Sequence, residues 1–307
     1  MSEAPAPTSE SRTDISGSDW VERRLPAAMR PYARLMRLDR PIGTWLLLWP
    51  CWWSLALGDA GLSDWSLYLL FGVGAVVMRG AGCTYNDIVD RNYDAMVART
   101  ATRPLPSGQV TPFQAWVFLG AQLLAALIIL LRFNGLTIAL GVASLALVAS
   151  YPFMKRITYW PQAWLGLTFN WGAIMAWAAL HGRVETPALI LYVAGILWTL
   201  GYDTIYAHQD KDDDALIGIK SSALALGERS KPFIAGCYAL TLLLAVIAVP
   251  MPQWGAGFFL FLALAGAHLG WQVTSLDISN SANCLARFRS NRDFGALTML
   301  ALLTAHA

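Results

Sequence analysis

The chain has 307 residues, 56% of them hydrophobic and only 14% charged, and its mean hydropathy is +0.46. Soluble domains average about 25% charged residues, so the composition excludes an ordinary water-soluble globule and indicates a polytopic membrane protein. A net charge of +2 gives no reason to expect nucleic acid, and four cysteines without C-x-x-C spacing argue against a disulfide framework or a zinc site.

Residues 1–19 are rich in Ser, Pro, Thr and acidic side chains and read as a disordered tail, not a signal peptide. We expect 1–30 to be tail and 31–307 to form a single transmembrane domain. Residues 21–40 are amphipathic and basic (Arg23, Arg24, Arg30, Arg34, Arg37, Arg40), suited to lying along an anionic membrane surface. Nine apolar stretches follow, at about 42–57, 65–84, 113–131, 135–154, 160–180, 187–207, 233–249, 254–274 and 294–306. Each is near the length of a bilayer crossing, though the last is short. The expected fold is all-α, a polytopic bundle of about nine transmembrane helices.

Charge bias orients these spans. With nine crossings, nineteen of the 22 Lys and Arg fall on the side of the N-terminus. That side is therefore expected to be cytoplasmic. Both acidic clusters described next land on it, although they played no part in the count.

The first cluster opens where the apolar run 65–83 ends and reads CTYNDIVDRNYD. If the helix continues, Asn86, Asp90 and Asp94 stand four residues apart on one face. Carboxylates this close repel one another unless a cation sits among them. Hard oxygen donors suit Mg²⁺, which usually shares its ligands with a substrate's phosphates. The second cluster lies in GYDTIYAHQDKDDDALIGIKSS, where Asp203, Asp210 and Asp214 fall at helical spacing, beside Asp212 and Asp213. Two such clusters with basic neighbours fit a diphosphate held between Mg²⁺ ions.

Cations accompany both clusters. Arg99 and Arg103 follow the first, Lys155 and Arg156 end the fourth span, and Lys211 and Lys220 flank the second. Positive-inside topology alone would scatter such residues there, but as a set they supply charge-assisted contacts to a diphosphate. Arg79 lies within the second span, where an unpaired guanidinium is costly. It pairs either with a buried Asp or with a substrate carboxylate. Tyr85, Tyr93, Tyr202 and Tyr206 are packing residues or, if a carbocation forms, faces that shield it.

The runs NDIVDRNYD, RTATRPLPSG, YPFMKR and YDTIYAHQDKDDDALIGIKS, with RLDRPIGTWLLLWP at 37–50, resemble the UbiA-type membrane-bound aromatic prenyltransferases. The resemblance covers nearly the whole chain from about residue 35. It implies helices around a central cavity that is open to membrane lipid, and a Mg²⁺ cofactor. It also implies polyprenyl diphosphate and 4-hydroxybenzoate as substrates in ubiquinone biosynthesis, with no obligate protein partner. By position, Asn86, Asp90, Asp94, Asp210 and Asp214 would hold Mg²⁺–diphosphate, and Lys155 and Arg156 would bind diphosphate oxygens. Asp203 would activate the phenol or support the metal site. The implied location is a bacterial inner membrane with a cytoplasmic active site, or a mitochondrial inner membrane in a eukaryote. Other readings are the same transfer to another aromatic ring, and a transporter. A transporter would place its polar groups near mid-membrane, whereas these acids gather at one membrane face.

Overall fold

The computed structural model describes residues 19–97 and 100–305, with every side chain among them except those of Leu62, Asp212 and Asp213. The expected tail up to residue 18 and Arg99 lie outside the described residues. Among these residues the regular elements are all helices. After the short α1 (Trp20–Arg24) and α2 (Arg30–Leu35) come α3 (Ile42–Leu57), α4 (Trp65–Asp94), α5 (Pro112–Leu130), α6 (Gly135–Ile157), α7 (Pro161–His181) and α8 (Thr186–Ala207). Then follow α9 (Lys211–Ile217), α10 (Ser222–Leu226), α11 (Ser230–Ala248), α12 (Ala256–Thr274) and α13 (Ser281–Thr304).

Each expected apolar stretch coincides with a helix, but seven are long and apolar enough to cross a membrane among the described residues. The two exceptions have physical causes. With 16 residues, α3 is about 24 Å long at 1.5 Å per residue, short of the ~30 Å hydrocarbon layer. The first half of α13 carries Arg287, Arg289, Arg292 and Asp293, so its apolar part begins only at Phe294.

Two compact units make up the chain. One combines the residues before Pro41 with Gly80–Gln122, and the other combines Pro41–Arg79 with Leu123–Ala307. In the first, the basic segment 21–40 is not one surface helix. Pro26 ends it after one turn, and α2 restarts with Pro31 in its first turn. Asp19 caps α1, Glu22 accepts from Arg30 and Arg34, and the Trp20 indole donates to the Leu38 carbonyl at 3.0 Å. Leu35 is wholly buried in a small core with Leu105, Val110 and Ala115.

The second unit is built on α8, which packs against α7 and α11, while α3 packs against α7 and α13. Its core is aromatic: Trp53, Trp198, Tyr202 and Phe294 are buried together. Several buried polar groups there are paired, as a low-dielectric interior favours. Trp198 donates to Asn291 (2.8 Å), and Tyr238 and Asn291 both donate to Gln272. The opposite behaviour appears on α5 and α6, where Leu124, Ile128, Val142 and Leu145 remain exposed. Apolar faces of that kind suit lipid contact.

Small residues set the closest approach. Gly295 of α13 lies directly against the Trp49 indole of α3, and a methyl group there would overlap the ring. Gly295→Ala is expected to destabilise by about 1–3 kcal/mol, the usual cost of overpacking. A lower melting temperature in detergent, followed by tryptophan fluorescence, checks this; an unchanged value would contradict the packing described.

Candidate active site

The first acidic motif is carried by the last turns of α4, which runs without a break to Asp94. Helical spacing therefore places Asn86, Asp90 and Asp94 on one stripe, as the sequence suggests. Asp87 and Asp90 are wholly buried and Asp94 nearly so, at 8% exposure. The cations are close. Arg37 Nη2 donates to both oxygens of Asp87, at 2.6 and 2.9 Å. Arg103 Nη1 lies 3.0 Å from Asp94 Oδ2 and 3.5 Å from Asp87 Oδ1. Thr100 closes the helix end by donating to the Asp94 carbonyl at 2.8 Å.

The second motif departs from expectation. Asp203, Asp210 and Asp214 do not share one helical face, because α8 stops at Ala207 and His208 is its C-cap. Asp210 instead sits at the N-cap of the separate α9, where its carbonyl accepts from the Asp214 N–H at 2.8 Å. Gly218, in a left-handed conformation, ends α9. His208 is buried and hydrogen-bonded to Ser230 at 2.8 Å. Burial first, and then Lys211, lower its pKa to about 4, so at neutral pH it adds no positive charge to the cluster.

The cations of this unit are placed unevenly. Lys155 and Arg156 close α6, and Arg156 is exposed with its guanidinium over Phe153. Lys220 reaches back to the same helix end. Its N–H donates to the Lys155 carbonyl (2.9 Å) and its ammonium to the Ile157 carbonyl (3.1 Å), beside the Tyr159 ring. It is thus a latch between the second motif and α6. Lys211 opens α9, half-buried.

Arg79 stands over the Phe169 ring, 5.6 Å from its centroid, and acts on Asp203 through space, without a direct ion pair. Tyr206 packs against Phe288 with ring centroids 4.6 Å apart. Tyr202, at 1% exposure between Trp198 and Phe288, is a core residue and no open face.

Sequence reasoning missed two groupings. One is the Arg37–Asp87 pair: Arg37 lies in an arginine-rich stretch that suggests a surface, yet it is buried. The other is the chain Asn170 to Thr199 (2.8 Å) to Tyr202 (3.1 Å) inside the second unit. No spacing rule links residues on different helices.

The donor set fits Mg²⁺. Each motif supplies carboxylates, with a carboxamide in the first, and no soft ligand. No three His, Cys, Asp or Glu side chains among the described residues converge on one point, so those residues by themselves form no closed protein cage. Mg²⁺ typically takes one or two carboxylates and completes its shell with water and substrate phosphates.

Residues 47–298 match the UbiA prenyltransferase family. The chain belongs to that family. It is 52% identical over 288 residues to a Bos taurus protein named 4-hydroxybenzoate polyprenyltransferase, mitochondrial, covering 92% of this chain and 77% of that one. The Homo sapiens protein of that name is 50% identical (91% and 76% covered), and the Arabidopsis thaliana one 48% (92% and 70%). Among solved structures, a UbiA homolog from Aeropyrum pernix K1 superposes with a TM-score of 0.66 at 24% identity, covering 85% of this chain and 94% of that one. A UbiA homolog from Archaeoglobus fulgidus bound to GPP and Mg²⁺ gives 0.65 at 18% identity, with 90% and 99% covered. These two likenesses speak to the UbiA fold.

The latch role of Lys220 has a measurable consequence. Lys220→Met keeps the backbone bond to Lys155 but loses the ammonium's bond to Ile157, and should cost about 0.5–1.5 kcal/mol. Lys220→Arg should retain most of it. Chemical denaturation in detergent distinguishes the two, and equal stability of Met and Arg variants would count against the latch.

Proposed function

We propose that this chain transfers a long polyprenyl group from polyprenyl diphosphate to the ring carbon ortho to the hydroxyl of 4-hydroxybenzoate, releasing diphosphate, as a step of ubiquinone biosynthesis. The observation that carries this reading is 48–52% identity, over more than nine-tenths of the chain, to relatives bearing that enzyme's name. Residues 31–307 act as one prenyltransferase domain embedded in lipid. The charge bias assigns the face with both acidic motifs to the cytoplasm of a bacterium, or to the equivalent face of a mitochondrial inner membrane.

Asn86, Asp90 and Asp94 in the first motif, and Asp210 and Asp214 in the second, are the residues that would hold Mg²⁺ and, through it, the diphosphate. When bound, Mg²⁺ neutralises the diphosphate and assists its departure as a Lewis acid. Arg99, Arg103, Lys155, Arg156, Lys211 and Lys220 add positive charge toward the leaving oxygens, where charge builds up as the allylic C–O bond breaks. Arg79, with its guanidinium already in the membrane interior, pairs with the carboxylate of the aromatic acid. Asp203 accepts the phenol proton or steadies the metal side, and Tyr206 offers a ring face to the allylic cation. Ring attack forms the new C–C bond, and a base then takes the ring proton, which restores aromaticity. The apolar surroundings keep water from capturing the cation.

Protein reconstituted in lipid is expected to prenylate 4-hydroxybenzoate only with Mg²⁺ present, and to stop on addition of EDTA. Asp90→Ala and Asp210→Ala should each reduce turnover by about 10²–10³-fold or more, the scale of losing a main electrostatic group, while the protein still inserts and folds, which circular dichroism in detergent reads. An acceptor panel completes the test: preference for a different ring replaces the acceptor and spares the reaction class, whereas no transfer to any ring refutes the reading.

A further inference from the structure

Arg37 is the one described arginine with a left-handed backbone, at φ 60°. An L side chain rarely adopts that conformation, and where it persists the surroundings enforce it. Here the enforcement is visible. Leu38 N–H bonds to the Ala33 carbonyl, Trp20 clamps the Leu38 carbonyl, and Leu35 is sunk in the core with Leu105 and Val110. The result turns the Arg37 side chain inward. Nη1 donates to the Arg34 carbonyl at 2.9 Å, which fixes the guanidinium plane, and Nη2 spans both oxygens of Asp87.

Asp87 has two cationic partners, and they are unequal. Arg37 holds it at 2.6 Å, while Arg103 stands off at 3.5 Å and sits closer to Asp94, at 3.0 Å. A wholly buried carboxylate demands a counter-charge. With Arg37 in place that demand is met, and Arg103 stays with Asp94, the end of the motif. Without Arg37, Asp87 would draw Arg103 inward and away from Asp94.

We propose that Arg37 is a positioning residue for prenyl transfer: by neutralising Asp87 it keeps Arg103 beside Asp94, where its guanidinium serves the diphosphate. The N-terminal segment is thereby a working part of the first motif. This inference rests on the proposed function, and its test separates the two.

Glycine is the informative replacement, because it suits the left-handed backbone while removing the whole side chain, guanidinium included. Arg37→Gly is expected to raise the KM for polyprenyl diphosphate about ten- to a hundredfold, the effect of one lost hydrogen bond to a charged group. The KM for 4-hydroxybenzoate should stay within about twofold, since Arg37 serves the diphosphate alone. Adding Asp87→Asn to Arg37→Gly removes the charge that captures Arg103 and should restore most of the lost affinity. Combining Arg37→Gly with Arg103→Gln should be no worse than Arg103→Gln alone. Calorimetric titration of the same variants with inorganic diphosphate and Mg²⁺ reads binding apart from turnover, and melting curves report folding. If the parent enzyme transfers no prenyl group, the functional reading fails. If the parent is active and Arg37→Gly leaves the diphosphate KM unchanged, or Asp87→Asn fails to rescue a folded Arg37→Gly, the positioning role is overturned.

Discussion

A carboxylate buried in a mostly apolar molecule must be met by a cation or by hydrogen bonds, and that constraint organises the acidic end of α4. Asp87 shows it most clearly, with no exposed surface and two arginines from distant parts of the sequence. Breaking such a pair by removing one partner typically costs about 3–5 kcal/mol. Neighbouring structure has to be arranged around it. The turn at Arg37, the small core of Leu35, Leu105 and Val110, and the closure of α4 by Thr100 all hold the partners where Asp87 requires them.

The second unit answers the same constraint in a different way. It buries uncharged polar groups in hydrogen-bonded chains, such as Trp198–Asn291–Gln272–Tyr238 and Asn170–Thr199–Tyr202. The Asn170 amide is oriented by the Gly166 carbonyl, which only its NH₂ can satisfy. Thr199 must then accept from Asn170 and donate to Tyr202. Its cost is an Asn170 oxygen left buried without a donor, about 1–3 kcal/mol. Arg79 lies in this unit too, and its neighbours are an aromatic ring and the through-space partner Asp203.

Much of this was legible in the sequence, because it rests on periodicity. Apolar runs of bilayer length became helices, and the four-residue spacing of Asn86, Asp90 and Asp94 survived because α4 carries through its polar end. The misses arise where long-range contact overrides local pattern. Segment 21–40 has the composition of a surface helix, but proline breaks it and a buried aspartate fifty residues away claims Arg37. Asp203 and Asp210 have helical spacing, but spacing cannot report that α8 ends between them. The charge of Lys220 is legible too, but not that its ammonium also donates to a helix carbonyl.

These differences give the two motifs unequal stiffness. The first lies on one continuous 30-residue helix, so its three oxygen donors keep a fixed register, and the buried arginine pairs lock the surrounding charges. The second is a seven-residue helix, α9, between a C-cap at His208 and a left-handed glycine at Gly218. A helix that short has little stability of its own. Its position depends on the latch of Lys220 onto α6 and on the turns at its ends. The donors on α4 are thus spaced by a long helix, whereas those on α9 take their position from the contacts at its ends.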